Sequence, residues 1–175
     1  MSDKKRVMIV DQLNMFFRAY IVDPSLSSNG QPIGGIKGCL KILQKLCKDI
    51  KPDKVIICWD GAGGSAKRKL MNKGYKDGRR PLRLNRDIRT LSAEEERENK
   101  VWQQMRVIEY FNQLPLIQFM YAGTEADDVI SYVKKSKEFE GWQKVIVSSD
   151  KDFFQLADKE TIIFRPTQKE VVNHI

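Results

Sequence analysis

Three aspartates of this chain, Asp11, Asp60 and Asp150, each end a short apolar run rich in β-branched residues. Runs of this kind are typical of buried strands in a parallel sheet. Because ligands of open α/β sheets bind just outside the carboxyl ends of the strands, we expect the three carboxylates to face one crevice. Several like charges in a small space need a cation to neutralise them. Oxygen ligands select a hard divalent ion such as Mg²⁺ or Mn²⁺.

Four more acidic residues extend this set, and they are Glu125, Asp127, Asp128 and Asp152. They also have a purely structural explanation, because segments 124–127 and 149–152 fit the capping box of a helix N-terminus. Acidic residues in a first helical turn stabilise a helix by about 0.3–1 kcal/mol. Capping does not explain why carboxylates also end strands at Asp11 and Asp60. The combination therefore favours a metal site.

The positive charge of the chain is concentrated in one segment. The sequence has 31 Lys and Arg against 23 Asp and Glu, a net charge of +8. Residues 61–92 contain ten of the basic residues and only two acidic ones. A basic segment beside an acidic crevice suits a polyanion that is bound through its phosphates. A solvated basic loop is the alternative explanation for the charge run alone.

The composition argues against several other classes of protein. His174 is the only histidine, which disfavours a histidine-based triad, a zinc site and a histidine general base. No segment has the roughly 18 apolar residues of a membrane span. Segment 61–67 lacks the spacing of a nucleotide-binding P-loop, and Leu13 stands where aspartyl-phosphate phosphatases have a second aspartate. The odd number of cysteines predicts reduced thiols in a cytosolic protein.

Strand and helix patterns alternate along the chain. The predicted strands are 7–11, 55–60, 116–120, 144–148 and 161–164. Five helices are predicted. The first contains Phe16 and Tyr20, the second covers residues 36–50, and the third runs from the capping box at Ser92 to before Pro115. The fourth contains residues 125–128, and the fifth begins at Asp152. The pattern predicts an α/β fold with a mainly parallel central sheet flanked by helices. We expect one domain over residues 1–175. Phe16, Phe17 and Tyr20 are expected to lie partly in the core, with stacking of one ring on a base as an alternative.

Five motifs in order resemble those of the 5′-nuclease superfamily, which includes flap endonucleases, the 5′–3′ exonuclease domain of bacterial DNA polymerase I, and phage 5′-exonucleases and RNase H enzymes. The motifs are Val10-Asp11 with Arg18-Ala19, Lys51-Pro52-Asp53 through Asp60-Gly61, Arg68 with Tyr75-Lys76-Asp77-Gly78-Arg79, Gly123 to Asp128, and Ser149-Asp150-Lys151-Asp152. The resemblance implies a PIN-like 5′-nuclease core. It also implies that the basic region, about 61–92, is a helical arch.

The resemblance also implies roles for individual residues. The first metal ion would be surrounded by Asp11, Asp60, Glu125 and Asp127, and the second would be held by Asp150 and Asp152, with Asp128 between them or in the outer shell. Lys76 would reach the scissile phosphate, with Arg79 beside it. The substrate-binding residues would be Arg18, Arg68, Lys69, Lys73 and Arg80. Gln12 and Ser149 depart from the family, which usually has glycine at both positions.

The resemblance implies a nuclease that uses Mg²⁺ or Mn²⁺ to hydrolyse DNA at 5′ ends, flaps or single-stranded branches, with RNA–DNA hybrids as further substrates. We expect it to act in the cytoplasm of a bacterial or phage-infected cell, away from membranes. The family's C-terminal helix–hairpin–helix element is not found in the sequence, so we expect a fragment, a partner protein that supplies this surface, or a second metal ion that is weakly held. Two alternatives stay open, a PIN-class ribonuclease and a non-catalytic nucleic-acid-binding subunit.

Overall fold

The computed structural model describes residues 4–65, 70, 88, 90–166 and 170–173. The strands of this part are β1 (Arg6–Asp11), β2 (Lys54–Trp59), β3 (Ile117–Met120), β4 (Gln143–Val147), β5 (Thr161–Arg165) and β6 (Glu170–Val172). The α-helices are α1 (Gln12–Val22), α2 (Gly34–Ile50), α3 (Ala93–Phe111) and α4 (Ala126–Lys134). Two short 3₁₀ helices cover Lys137–Phe139 and Lys151–Leu156.

The strands form one sheet in the order β3-β2-β1-β4-β5-β6. The first five strands are parallel to their neighbours, and β6 pairs antiparallel with β5. The predicted fold class, an α/β fold with a mainly parallel sheet and flanking helices, is confirmed. Since β1 lies between β2 and β4, the carboxyl ends of these three strands are neighbours. This order brings the ends that carry Asp11, Asp60 and Asp150 to one edge of the sheet.

Three details differ from the prediction. Helix α2 begins at Gly34, two residues before the expected start at Ile36. The segment after Asp150 is a 3₁₀ helix, although an ordinary helix from Asp152 was expected. Strand β6 was not predicted, because its three residues are too short to give a clear period-2 pattern. About two thirds of the predicted arch, about 61–92, lies outside the described residues.

The chain divides into two compact units. Of the described residues, the first unit contains 4–14, 50–65, 70, 115–166 and 170–173, and the second contains 15–49, 88 and 90–114. In the first unit, α4 packs its apolar face on the sheet, where Ile130 joins Ile9, Ile56 and Ile146 in one buried cluster. The expectation of a single domain over residues 1–175 stays a prediction.

The second unit buries polar as well as apolar side chains of α3. The capping box at Ser92 is present, with the Ser92 hydroxyl accepting from the Glu95 N–H and the Glu95 side chain accepting from the Ser92 N–H. Beyond it, α3 buries Asn99 and Gln103, while Val101 and Met105 are 53% and 57% exposed. The buried face of this helix is therefore not its most apolar one.

Those buried amides complete a hydrogen-bond chain inside the second unit. Gln103 Oε1 accepts from the Ile36 N–H in the first turn of α2 (3.1 Å), and Gln103 Nε2 donates to Asn99 Oδ1 (2.8 Å). Asn99 Nδ2 in turn donates to the Pro32 carbonyl (3.0 Å). One of the N–H groups that a helix start leaves without an intrahelical partner is thus satisfied from α3. Burial of these polar side chains follows from that need.

Candidate functional site

Asp11 is the last residue of β1 and lies at the centre of the candidate site. Its carboxylate accepts a hydrogen bond from the Ser148 hydroxyl at 2.7 Å and is 3.4 Å from the Asn14 N–H. Ser148 follows β4 and is fully buried. The carboxyl ends of β1 and β4 are therefore joined through the Asp11 side chain.

Asp60 follows β2 and is held by the loop between β3 and α4. Its Oδ1 accepts a hydrogen bond from the Ala126 N–H, at the start of α4, at 2.7 Å. The next residue, Gly61, donates its N–H to the Thr124 carbonyl at 2.9 Å. Gly61 also leaves no room for a side chain, since a Cβ there would lie 1.7 Å from the carbonyl oxygen of Tyr121. This close approach places Asp60 beside the residue that precedes α4.

Glu125 is that residue, and its backbone is the N-cap of α4. The predicted capping box with Thr124 does not form, because Glu125 occupies the cap position and makes no side-chain cap hydrogen bond. The Glu125 side chain is buried. Asp127 accepts a hydrogen bond from the Asp128 N–H at 2.9 Å, and Asp128 is exposed. The capping interpretation is therefore wrong for this segment, which removes its main structural explanation.

Asp150 and Asp152 follow β4, and here part of the capping interpretation is correct. Asp150 is the N-cap of the 3₁₀ helix Lys151–Leu156, and its Oδ1 accepts from the Asp152 N–H at 2.9 Å. The cap is Asp150 itself, one residue later than the predicted Ser149. Both carboxylates are exposed. Asp150 thus has one oxygen engaged in the turn while its side chain stays open to solvent.

The carboxylates influence one another. Burial raises the pKa of Asp11 from 3.8 to about 6, and the charges of Asp60 and Asp150 act in the same direction. The hydrogen bonds from Ser148 and Asn14 lower it and offset only part of this effect. Among the described ion pairs, none involves Asp11, Asp60 or Asp150. In the described part of the chain, these three carboxylates therefore have no cationic side chain paired with them.

The residues present fit a divalent cation by their chemistry. They offer only carboxylate oxygens, which suit Mg²⁺ or Mn²⁺ better than a soft metal. Cys58 lies in register with Asp11 on the adjacent strand, and burial, with the Asp11 charge, raises the pKa of its thiol to about 12. It therefore stays protonated and is a poor ligand. No three acidic, histidine or cysteine side chains of the described segments are grouped closely enough to hold an ion as they stand.

Of the basic residues predicted to contact the substrate, only Arg18 lies in the described part of the chain. Arg18 lies in α1 in the second unit, and burial lowers the pKa of its guanidinium. The remaining predicted residues of this type lie outside the described residues, and they are Arg68, Lys69, Lys73, Lys76, Arg79 and Arg80. Phe16 and Tyr20 are buried and stack on each other inside the second unit, with ring centroids 5.6 Å apart. Of the three rings considered for base stacking, only Phe17 keeps an accessible surface.

Sequence reasoning missed Ser148 and Asn14. Both are uncharged, so the search for metal ligands did not select them. Ser148 could have been found from its position, because it ends the predicted strand 144–148, two residues before Asp150. Asn14 gave no comparable signal. In addition, no helix in the described part of the chain has the length and apolar character needed to cross a membrane.

The fold is that of known 5′-nucleases. The 5′-exonuclease of bacteriophage T5, solved with divalent zinc ions bound, superposes with a TM-score of 0.71 at 20% identity, covering 97% of this chain and 58% of that one. The bacteriophage T5 flap endonuclease in a pseudo-enzyme–product complex with DNA and metal ions gives a TM-score of 0.70 at 19% identity. At this identity the likeness establishes the shared fold.

The family is established by sequence. Residues 6–174 match the family model of the 5′–3′ exonuclease N-terminal resolvase-like domain, and the chain belongs to that family. It is 30% identical over 159 residues to DNA polymerase I of Caldicellulosiruptor bescii, covering 90% of this chain and 17% of the polymerase. It is 29% identical over 172 residues to the 5′–3′ exonuclease of Aquifex aeolicus, covering 95% of this chain and 53% of that protein. The chain thus spans about half or less of the length of these relatives.

Proposed function

We propose that this chain is a divalent-metal-dependent 5′-nuclease that hydrolyses phosphodiester bonds of DNA at or near 5′ ends. The observation that carries the proposal is the position of Asp11 at the end of β1, between the ends of β2 and β4 that lead to Asp60 and Asp150. Asp11 is a carboxylate at the carboxyl end of the central strand with its pKa raised to about 6, and the neighbouring charges of Asp60 and Asp150 contribute to that shift. Membership of the 5′–3′ exonuclease family supports the reaction type.

The residues proposed to bind the two cations fall into two groups. Asp11 and Asp60, on neighbouring strands, would hold the first ion together with Glu125 and Asp127. Asp150 and Asp152 would hold the second, with Asp128 between them or in the outer shell. When bound, Mg²⁺ or Mn²⁺ would supply charge neutralisation and a water molecule of lowered pKa.

The protein's own groups have separate tasks in this mechanism. The Ser148 hydroxyl orients the Asp11 carboxylate, and the Ala126 N–H orients Asp60. Lys76 and Arg79 are proposed to offset charge that develops on the scissile phosphate. DNA phosphates elsewhere are proposed to contact basic side chains, and these are Arg18, Arg68, Lys69, Lys73 and Arg80. No histidine is assigned a role in proton transfer.

The substrate is proposed to be DNA with a 5′ end, a flap or a single-stranded branch, and an RNA–DNA hybrid as a further substrate. The compartment is proposed to be the cytoplasm of a bacterial or phage-infected cell. Two buried cysteines that form no disulfide, Cys39 and Cys58, are consistent with a reducing compartment. The helical arch is proposed to lie within the basic region, about 61–92.

A cleavage assay tests the proposal directly. A 5′-flap DNA labelled at its 3′ end is incubated with Mg²⁺, with Mn²⁺ and with EDTA. We expect shortening near the junction with either cation and none with EDTA. Asp150→Asn should lower turnover by orders of magnitude while DNA binding, measured by fluorescence anisotropy, persists. Turnover at the wild-type level in this variant would refute the assignment of Asp150 as a ligand.

A second candidate function is a non-catalytic nucleic-acid-binding subunit that needs a partner for activity. One observation favours it, namely that no three acidic side chains in the described segments are grouped to hold an ion as they stand. This candidate predicts salt-sensitive DNA binding without cleavage at any Mg²⁺ or Mn²⁺ concentration. A PIN-class ribonuclease is distinguished by competition, since single-stranded RNA would then displace the DNA flap.

A further inference from the structure

Asn14 contacts the ends of two strands that carry proposed ligands. It lies in the first turn of α1, and its backbone N–H is 3.4 Å from Asp11 Oδ1. Its side-chain Oδ1 accepts a hydrogen bond from the Ser149 N–H at 3.1 Å. One uncharged residue thus touches both the aspartate that ends β1 and the turn that leads from β4 to Asp150.

The orientation of the Asn14 amide is fixed by this contact. A backbone N–H can only donate, so the amide atom that faces Ser149 must be the oxygen. Ser149 has a negative φ, because Lys51 is the only non-glycine residue of the described set with a positive φ. A negative φ is open to every residue type and does not by itself fix how the Ser149–Asp150 turn lies, so a contact from outside the turn can contribute.

A second connection runs parallel to the first. The Ser148 hydroxyl donates to Asp11 Oδ2 at 2.7 Å and accepts from the Asp150 N–H at 3.1 Å. Ser148 alone could act as a pivot, since both of its contacts converge on one hydroxyl oxygen. The Asn14 contact, at Ser149, adds a second fixed point to the turn. Two fixed points restrict rotation of the turn, whereas a single fixed point does not.

We propose that Asn14 is a positioning residue, whose amide holds the Ser149–Asp150 turn in place relative to Asp11, so that the carboxylates of the two proposed cation sites are already arranged relative to each other before the cations bind. This inference rests on the proposed function. Ligating carboxylates are oriented by hydrogen bonds from neighbouring groups, and loss of such a group commonly costs 10–100-fold in metal affinity. Asn14 need not contact the ion or the substrate for this role.

The test compares two substitutions at Asn14 with a matched control. Asn14→Ala removes the acceptor and suits a helix, whereas Asn14→Asp keeps an acceptor for the Ser149 N–H. Ser136→Ala, in the same unit, removes a side-chain hydrogen bond to the Glu138 N–H (3.3 Å) away from the site. Binding of Mn²⁺ alone is measured by electron paramagnetic resonance, followed by kcat and KM for flap DNA at increasing Mg²⁺, with thermal melting of every variant.

We expect Asn14→Ala to bind Mn²⁺ roughly 10–100-fold more weakly, in line with the loss of an outer hydrogen bond to a ligating group. Its kcat should fall at limiting Mg²⁺ and recover with excess Mg²⁺, while KM for DNA changes little. Asn14→Asp should restore most of the Mn²⁺ affinity, and Ser136→Ala should bind like the wild type. This pattern separates positioning of the ligands from a general loss of stability.

Two results would overturn the inference alone. They are wild-type Mn²⁺ affinity in a folded Asn14→Ala protein, and an equal loss of affinity in Asn14→Ala and Asn14→Asp. If Asn14→Ala does not fold, Asn14→Gln takes its place, because the extra methylene displaces the acceptor from Ser149. A wild-type protein that neither binds Mn²⁺ nor cleaves DNA would overturn the proposed function and the inference together.

Discussion

Substitution of Gly61 by alanine should separate the two loops that place Asp60. A Cβ at this position would lie 1.7 Å from the Tyr121 carbonyl oxygen, whereas real Cβ atoms essentially never approach a neighbour within 3.0 Å. The neighbour is backbone and cannot turn aside as a flexible side chain would. The loops after β2 and β3 must therefore move apart by roughly 1.3 Å to relieve the overlap.

The cost of this movement can be worked out from the contacts it stretches. Gly61 donates to the Thr124 carbonyl at 2.9 Å, and Gly123 donates to the Ala62 carbonyl at 2.8 Å. Each such hydrogen bond contributes about 1 kcal/mol net, and forced overpacking adds about 1–3 kcal/mol. A loss of roughly 3–5 kcal/mol corresponds to a melting temperature lower by roughly 6–20 °C for a chain of this size.

The site should respond as well as the stability. Asp60 adjoins Gly61 and depends on the 2.7 Å hydrogen bond from the Ala126 N–H, which the same movement would stretch. We therefore expect weaker Mn²⁺ binding by Gly61→Ala, measured by titration calorimetry below its melting temperature. Gly63→Ala is the matched control, since Gly63 lies in the same loop with φ of +70° and open space around its Cβ position. It should cost only about 1–2 kcal/mol for the left-handed backbone and leave Mn²⁺ binding intact.

The reasoning would be refuted if both glycine variants melted alike and bound Mn²⁺ like the wild type. That result would mean that the Tyr121 loop yields without cost. Equal losses of Mn²⁺ affinity in both would also refute it, because Gly63 makes no comparable close approach. Only a loss of affinity confined to Gly61→Ala supports the role assigned to this contact.

Two further predictions concern buried polar groups. Gln103→Leu keeps most of the side-chain volume but leaves the Ile36 N–H and Asn99 Oδ1 without their partner. We therefore expect the free energy of unfolding, measured in urea, to fall by about 2–4 kcal/mol. A change below about 0.5 kcal/mol would contradict the role of Gln103 as acceptor for the start of α2. Asp11→Asn should raise the melting temperature of the metal-free protein in EDTA above pH 6, because the folded-state pKa of Asp11 is raised from 3.8 to about 6 and its ionisation opposes folding there. This advantage should disappear as the pH falls from 6 to 4, where the folded wild-type protein takes up the proton; a pH-independent difference would contradict the assignment.

Much of the fold could be predicted because its strands are short, apolar and buried. The runs that end at Asp11 and before Asp60 form parallel strands, as expected. The structure also makes them neighbours, and this adjacency brings their carboxylates to one edge of the sheet. The aspartates that end these strands are also residues of the candidate site, so the same positions in the sequence indicate both the strand ends and the site. The grouping of these carboxylates around an ion stays a prediction.

Helix α3 shows where hydrophobic pattern misleads. Val101 and Met105 follow helical spacing and would be placed in a core by hydropathy, yet they are exposed, while Asn99 and Gln103 are buried. The buried face of α3 depends on another part of the chain, since the start of α2 has an N–H group without an intrahelical partner. A requirement at residue 36 cannot be read from the periodicity of residues 93–111.

The same limit applies to the candidate site. Glu125 and Asp150 both precede helical turns, and a local pattern assigns a cap to each segment, but only Asp150 makes a side-chain cap hydrogen bond. At the start of α4 another loop supplies an acceptor, because Asp60, which follows β2, accepts from the Ala126 N–H. A carboxylate distant in sequence thereby satisfies one N–H group of a helix start, which a local pattern cannot show. Asp60→Ala should for this reason weaken the start of α4 as well as cation binding, which links the stability of the helix to the arrangement of the site.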